Sequence, residues 1–478
     1  MVHAGALAVL GFLAMHPWSE SGGAASPPSP QVPAAESALL DDLQRRTFNF
    51  FWERTPADNG LTPDRWPTPS FSSIAAVGFA LTAYPVGVEH GWITRAQARQ
   101  RVLATLRFFK GAPMGEAAAG VTGHRGFYYH FLDMKTGLRF QQVELSTIDT
   151  TLLMAGVLFC QSYFDREEAE EKEIRGLAEE LYTRVDWSWA VVRPPKVSMG
   201  WKPEEGFLPT DWSGYDESTI LYVLALGSPT HPADPAGWEA YTRTFVWGPF
   251  LGEPHVNFGP LFGHQYSHVW IDFRGIRDAY MRARGSDYFE NARRATLSQR
   301  AYAILNPQGF RGYGENVWGL TACDGPAQAG GMVDGRWRGF STYRARGAAL
   351  TGIDDDGTLA PTAAASALPF APEVVLPALR EMRGRYGDRL YSTYGFVDAF
   401  NPSYRLSRPP ERGSVDPELG WFDVDYLGID QGPIVAMIEN HRSGLVWNVM
   451  KKNPHVRRGL TRAGFGGGWL DGAAPGPR

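Results

Sequence analysis

Four places in the chain set acidic or imidazole side chains among glycines and aromatic rings. In Gln142–Thr150 (QVELSTIDT), Glu144 precedes an apolar run and Asp149 falls in the first turn of that run. In Trp212–Ile220 (WSGYDESTI), Asp216 and Glu217 follow an aromatic Gly turn and open a second apolar run. Gly259–Arg274 (GPLFGHQYSHVWIDFR) spaces His264 and His268 four apart, with Asp272 and Arg274 just behind. Trp421–Asn440 (WFDVDYLGIDQGPIVAMIEN) crowds Asp423, Asp425 and Asp430 ahead of a segment carrying Glu439. Paired carboxyls suit acid–base work, because burial can hold a proton on one while the other stays ionised. Cleaving a glycosidic bond needs that division: one group protonates the leaving oxygen, and the other activates water or attacks carbon.

Each acid also has a plainer explanation. Ser146-x-x-Asp149 matches a capping box with Asp in place of Glu. Asp216 and Asp430 read as helix N-caps, and Glu217 could pair with a helix dipole. Glu144 has no such structural excuse, and Glu217 sits beside Trp212 and Tyr215, where a desolvated acid could form. Asp425 could serve as a base or bind sugar hydroxyls. The two histidines lack the companion Glu of an HExxH zinc motif, so a structural or hydrogen-bonding role is expected, with Asp272 and Arg274 as an internal ion pair. Asp354–Asp356 lacks EF-hand spacing and reads as a turn. Cys160 and Cys323 fit no metal spacing, and Cys160 follows an apolar helical run as a buried hydrophobe would. No phosphate-binding loop, nucleophile elbow or dinucleotide fingerprint is present. Their absence weakens kinase, esterase and dehydrogenase readings, and no metal site is implied.

Composition points the same way. Of 478 residues, 13% are aromatic, including 16 Trp; flat rings suit the C–H faces of sugars. A net charge of -5 without a basic block argues against a nucleic-acid partner.

The elements that must position these groups are helices. Apolar or amphipathic periods predict them at 37–54, 72–84, 94–109, 147–164, 166–185, 217–226, 235–247, 273–284, 288–306, 358–367, 372–386 and 431–441. They alternate between segments apolar all round and segments with one polar face. An inner and an outer ring of helices is the simplest core for that pattern. Strand signals are few, and the long loops 187–215, 309–344 and 393–430 would form a cleft at one end. Ala4–Met15 reads as the apolar part of an export signal, with Gly22–Ser26 as a cleavage site. The expected layout is a signal and Pro/Ala-rich linker (1–36), a helical domain (37–455) and a Gly-rich tail (456–478). A periplasmic or secreted protein is expected, with no membrane span and, by default, a monomer.

Several segments together resemble the glucoamylase-like family that includes glycoside hydrolase family 144, the endo-β-1,2-glucanases. They are Gln142–Gly156 (QVELSTIDTTLLMAG), Tyr215–Ile220 (YDESTI), Pro260–Gly275 (PLFGHQYSHVWIDFRG), Gly314–Leu320 (GENVWGL), Asp356–Pro377 and Tyr426–Trp447. The resemblance spans about residues 38–450. It implies an all-α (α/α)6 toroid, hydrolysis of β-1,2-glucan without a cofactor, and inversion at the anomeric carbon, for which working carboxyls stand roughly 6.5–9.5 Å apart. Glu144 and Glu217 match its acids, and Asp149 joins them as a catalytic candidate. The binding set is Trp212, Tyr215, Asp216, His264, Tyr266, His268, Trp270, Trp318 and Asp425. A toroid glycosidase or phosphorylase for another linkage, or a non-catalytic glucan-binding protein, fits the same composition.

Overall fold

The computed structural model describes residues 34–472. Fifteen α-helices follow in chain order among these residues. They are α1 Ala34–Arg54, α2 Ile74–Glu89, α3 Arg95–Gly111, α4 Thr147–Tyr163, α5 Ala169–Thr183, α6 Thr219–Gly227, α7 Ala236–Thr242, α8 Tyr266–Trp270, α9 Ala279–Arg282, α10 Tyr288–Leu305, α11 Pro361–Ala365, α12 Pro372–Tyr386, α13 Gly428–Arg442, α14 Leu445–Met450 and α15 Pro454–Arg462.

The segments that read as apolar all round are the ones buried all round. α2 is buried without a break from Ile74 to Gly87, and α6 over its whole length. α2 and α4 cross closely because each places a glycine at the contact. A Cβ on Gly78 would lie 2.2 Å from the Leu152 carbonyl oxygen, and one on Gly156 2.2 Å from that of Gly78. From there contacts run from α4 to α6, from α6 to α8, from α11 to α13 and from α13 back to α2. Between α8 and α11 the link is a side chain, with Gln265 Nε2 donating to the Ala363 carbonyl at 2.7 Å. The amphipathic helices pack outside: α1 on α13 and α2, α5 on α4 and α3, α12 on α11.

α2 runs past its expected end, through Pro85. Proline cannot donate to the carbonyl one turn earlier. That carbonyl, on Leu81, instead takes the buried Cys160 thiol at 3.2 Å. Cys160 and Cys323 are both free.

Other differences have local causes. The helix expected over 273–284 shrinks to α9, since Gly275 takes φ +73° and Asp278 caps a new start by accepting from Met281 N at 2.8 Å. α7 stops at Thr242, and Trp247–Phe250 pairs with Glu253–Val256 in a hairpin. α13 begins at Gly428, which puts Asp430 in its first turn instead of at the N-cap. α8, α14 and α15 were not foreseen. α15 lies in the stretch read as a tail, yet it packs on α6 with Val456 and Leu460 buried. The loops are less irregular than their sequence suggests: among the described residues they fold into ten small sheets of two or three strands. Such pairing satisfies backbone groups that burial would otherwise strand. The expected export signal lies outside the described residues. Among the described residues no helix is long and apolar enough to cross a membrane.

Candidate active site

The N-terminal ends of α4 and α6 open onto one cavity of about 310 Å³. Its lining includes His130, Glu144, Ser146, Asp149, Trp212, Glu217, Phe262, Tyr266 and Tyr343. That volume is at the small end of ligand pockets, enough for one or two sugar rings.

Glu144 is fixed by strand pairing. Leu145–Ser146 pairs antiparallel with Gly200–Trp201, and the Glu144 carbonyl accepts from His130 N at 3.0 Å. Its carboxylate meets His130 Nδ1 at 2.8 Å, and His130 Nε2 lies 3.5 Å from Asp149 Oδ2. Burial disfavours the imidazolium. The charge of Asp149 and the hydrogen bond and charge of Glu144 outweigh it and lift His130 to about 9. Burial likewise opposes ionisation of Glu144, but the His130 bond and charge hold its carboxyl below the usual range. Asp149 keeps half of the capping box and still faces the cavity: its N–H is capped by Ser146, but its carboxylate takes the Ser146 hydroxyl and not the Ser146 N–H. Ser146 Oγ accepts from Asp149 N at 3.1 Å and donates to Asp149 Oδ2 at 2.5 Å.

Glu217 is held differently. Ser267 Oγ donates to its backbone carbonyl at 3.0 Å and accepts from Ile220 N at 3.0 Å, so α8 pins the turn that starts α6. The carboxyl has no side-chain hydrogen bond among the described residues; burial first, then the charges of Asp216 and Asp149, push its pKa well above the ordinary value. Asp216 points elsewhere. It accepts from Ser218 N at 2.9 Å, from Ser218 Oγ at 2.5 Å and from Tyr241 OH at 3.0 Å, and burial raises it to about 6. The N-cap of α6 is Ser218, so Asp216 braces the turn ahead of the helix and is not available to substrate.

Trp212 and Tyr266 line the cavity as expected of binding residues. Trp212 Nε1 donates to Thr147 Oγ1 at 2.9 Å, and Tyr266 OH donates to the Ile429 carbonyl at 3.1 Å. Other members of the expected binding set are core residues. Trp270 stacks on Phe79 at 5.1 Å and donates to Thr82 Oγ1 at 2.9 Å. Trp318 is fully buried, and Tyr215 stacks on Tyr288 at 6.1 Å. His264 Nε2 donates to the Phe258 carbonyl at 3.1 Å, and burial keeps the ring neutral. His268 is wedged against Phe273 and Phe370, where burial lowers it to about 3. None of these five reaches the cavity, because each ring is consumed by interior packing. Asp272 and Arg274 do form the expected pair, at 2.7 Å.

Asp425 lies in a separate buried acidic group. Carboxylate oxygens of Asp324, Asp423 and Asp425 come within 4.8 Å of one another. Arg412 contacts Asp324 at 3.3 Å and Asp425 at 3.2 Å, and Arg65 bonds Asp324 and lies 3.5 Å from Asp425. Asp425 is therefore neutralised by guanidinium groups and does not face the cavity. Deeper in the group, burial and the charge of Asp430 push Asp398 well up, and burial raises Asp430 to about 7.

Sequence reasoning missed His130 and Tyr343. His130 sits in a short Tyr-Tyr-His-Phe run with no motif spacing, and its partners arrive only through tertiary folding.

The family profile described as "Putative glucoamylase" matches residues 209–454. A putative glucoamylase structure from Bacteroides uniformis is 32% identical, covering 93% of this chain and all of that one, with a TM-score of 0.77. An endo-β-1,2-glucanase from Chitinophaga pinensis, solved with sophorotriose and glucose, is 27% identical over 91% of this chain and 99% of its own, with a TM-score of 0.76. An exo β-1,2-glucooligosaccharide sophorohydrolase (non-reducing end) from Parabacteroides distasonis is 29% identical over 464 residues. The chain spans 58% of that relative's length and the match covers 90% of the chain.

Proposed function

The chain belongs to the family described as "Putative glucoamylase", and from that premise we propose that it is a glycoside hydrolase cutting β-1,2-glucan. The buried helices α2, α4, α6, α8, α11 and α13 would form the inner ring of an (α/α)6 toroid, with the 310 Å³ cavity as the floor of the cleft. One observation carries the reading: an unpartnered, proton-holding Glu217 shares a ring-lined cavity with two carboxylates bound to an imidazole.

Glu217 is the general acid. Its proton goes to the glycosidic oxygen as the C–O bond breaks, and the departing sugar leaves as a neutral alcohol. Glu144 and Asp149 are the anionic side. One of them takes a proton from a water attacking the anomeric carbon from the opposite face, which inverts configuration. Trp212, Tyr266 and Phe262 supply ring surface for the sugars flanking the bond. Internal cleavage is the mode named for the Chitinophaga relative, which the chain matches nearly end to end. Removal of sophorose from the non-reducing end is the mode named for the Parabacteroides relative. Action in the periplasm or outside the cell belongs to the same proposal, and rests on the export-signal reading of Ala4–Met15.

Incubation with linear β-1,2-glucan, β-1,3-glucan and starch, followed by product sizing, tests the reading. Products from β-1,2-glucan alone are expected, a ladder for internal cleavage or a single disaccharide for terminal removal. Products from starch alone would overturn the linkage, and tight binding without products would leave a glucan-binding protein.

A further inference from the structure

We propose that His130 is the positioning residue that divides labour among the cavity acids: its imidazolium clamps Glu144 and Asp149 as carboxylates and so leaves the working proton on Glu217. This inference rests on the hydrolase reading above and adds to it a residue that supports the chemistry without touching the reacting atoms.

The geometry is that of a bridge. One ring nitrogen meets Glu144 at 2.8 Å and the other lies 3.5 Å from Asp149. A neutral imidazole carries one N–H and could donate to only one of them; the imidazolium donates from both nitrogens. The ring is not free to turn away. It stacks on Phe131 with centroids 3.9 Å apart. Its backbone N–H donates to the Glu144 carbonyl at 3.0 Å, and its own carbonyl accepts from Ile74 N at 3.3 Å. The clamp is thus tied to the loop that carries Glu144 and to the first residue of α2.

Charges of both signs surround it. Asp64, from the loop ahead of α2 and itself paired with Arg65 at 3.2 Å, adds a further charge that favours the imidazolium. Lys202, on the strand paired with 145–146, also favours the Glu144 carboxylate. Ser146 Oγ donates to the same Asp149 oxygen that faces His130. Remove the imidazolium, and two carboxylates stand side by side in a half-buried cavity. Like charges so placed draw a proton onto one member. The cavity would then hold its base in the wrong protonation state at the pH where Glu217 works as an acid.

The test is the pH profile of kcat/KM on linear β-1,2-glucan for the wild type, His130→Asn and His130→Gln. Both variants should move the acidic limb to higher pH and lower kcat far more than they change KM. A loss of activity uniform across pH, with the acidic limb unmoved, would overturn the proposal. A second measurement needs neither activity nor the variants' full stability. The His130 ring resonances, assigned by their absence in His130→Asn, should titrate near 9 in the wild type and lower in Glu144→Gln. Titration near the ordinary 6.5 in both proteins would refute the clamp. If the wild type cleaves no glucan while His130 titrates near 9, the hydrolase reading fails and the clamp stands.

Discussion

Replacing Glu217 by Gln isolates the proton from everything else the side chain does. The amide has the same shape, and no side-chain hydrogen bond is lost, since the carboxyl makes none among the described residues. General acid catalysis contributes typically 10²- to 10⁴-fold, which is about 2.7–5.4 kcal/mol of barrier. The upper half of that range is expected, because a sugar alkoxide is a poor leaving group. On β-1,2-glucan, kcat should therefore fall by roughly 10³-fold or more with KM little changed. On a β-glucoside with an acidic phenol as leaving group the deficit should nearly vanish, since such an anion departs without a proton. Stability should move the other way. The folded pKa of Glu217 lies above the ordinary 4.5. Wild-type stability therefore drops as pH rises from the unfolded pKa through the folded one. The glutamine does not titrate and should be at least as stable as the wild type at neutral pH in a thermal melt. Equal losses on both substrates would show that Glu217 is not the acid; full activity on both would remove it from the mechanism.

Two further substitutions test the scaffold. Arg346 is fully buried, with Nε and Nη2 on Asp356 at 2.7 and 2.8 Å and Nη1 on the Cys323 carbonyl at 2.9 Å. Arg346→Met leaves Asp356 buried without its cation and should cost about 3–5 kcal/mol in urea denaturation, partly restored by adding Asp356→Asn. A loss of less than about 1 kcal/mol would mean the pair behaves like a surface ion pair. In α15, a Cβ on Gly459 would lie 1.9 Å from the Val223 carbonyl oxygen of α6. Gly459→Ala should lift the helix off α6, cost about 1–3 kcal/mol or more and expose the C-terminal segment to protease. Gly384→Ala in α12, where the added methyl meets nothing within 4 Å, is the control and should be neutral or stabilising by about 0.5–1 kcal/mol.

Helix periodicity was enough to locate most of α1–α7, α10, α12 and α13, because an apolar stripe or an apolar belt leaves its mark over several turns. It failed where the determinant was not periodic. α15 hides behind Gly459 and the Gly-rich run after it, in a sequence that reads as tail. There the glycine serves a close helix crossing, a constraint that exists only once α6 is in place. The loop strands are two to five residues long, too short for alternation to register. The aromatic residues misled for a related reason. Trp270, Trp318 and Tyr215 fill the interior of a large helical domain, and a ring that fills and a ring that binds have the same composition.

The acids were more legible, and the reason limits how far such reading can go. Glu144, Asp149, Asp216, Glu217 and Asp430 all sit at the N-terminal ends of buried helices, where free N–H groups and the helix dipole favour negative charge. Structural and chemical acids therefore collect at the same places, and position alone cannot sort them. What sorts them is the supply of donors. Asp216 takes three hydrogen bonds from Ser218 and Tyr241 and is spent on holding a turn. Glu217, one residue on, takes none from another residue among those described, and burial with its acidic neighbours pushes its pKa well up. Glu144 lies between these cases, since its one strong partner, His130, is itself shared with Asp149. Ser218 is local to Asp216, but Tyr241 lies 25 residues downstream of it and His130 lies 14 residues upstream of Glu144. The contrast between adjacent acids that decides the chemistry is thus only partly local: Ser218 is at hand for Asp216, while Tyr241 and the burial that isolates Glu217 arrive with the tertiary fold.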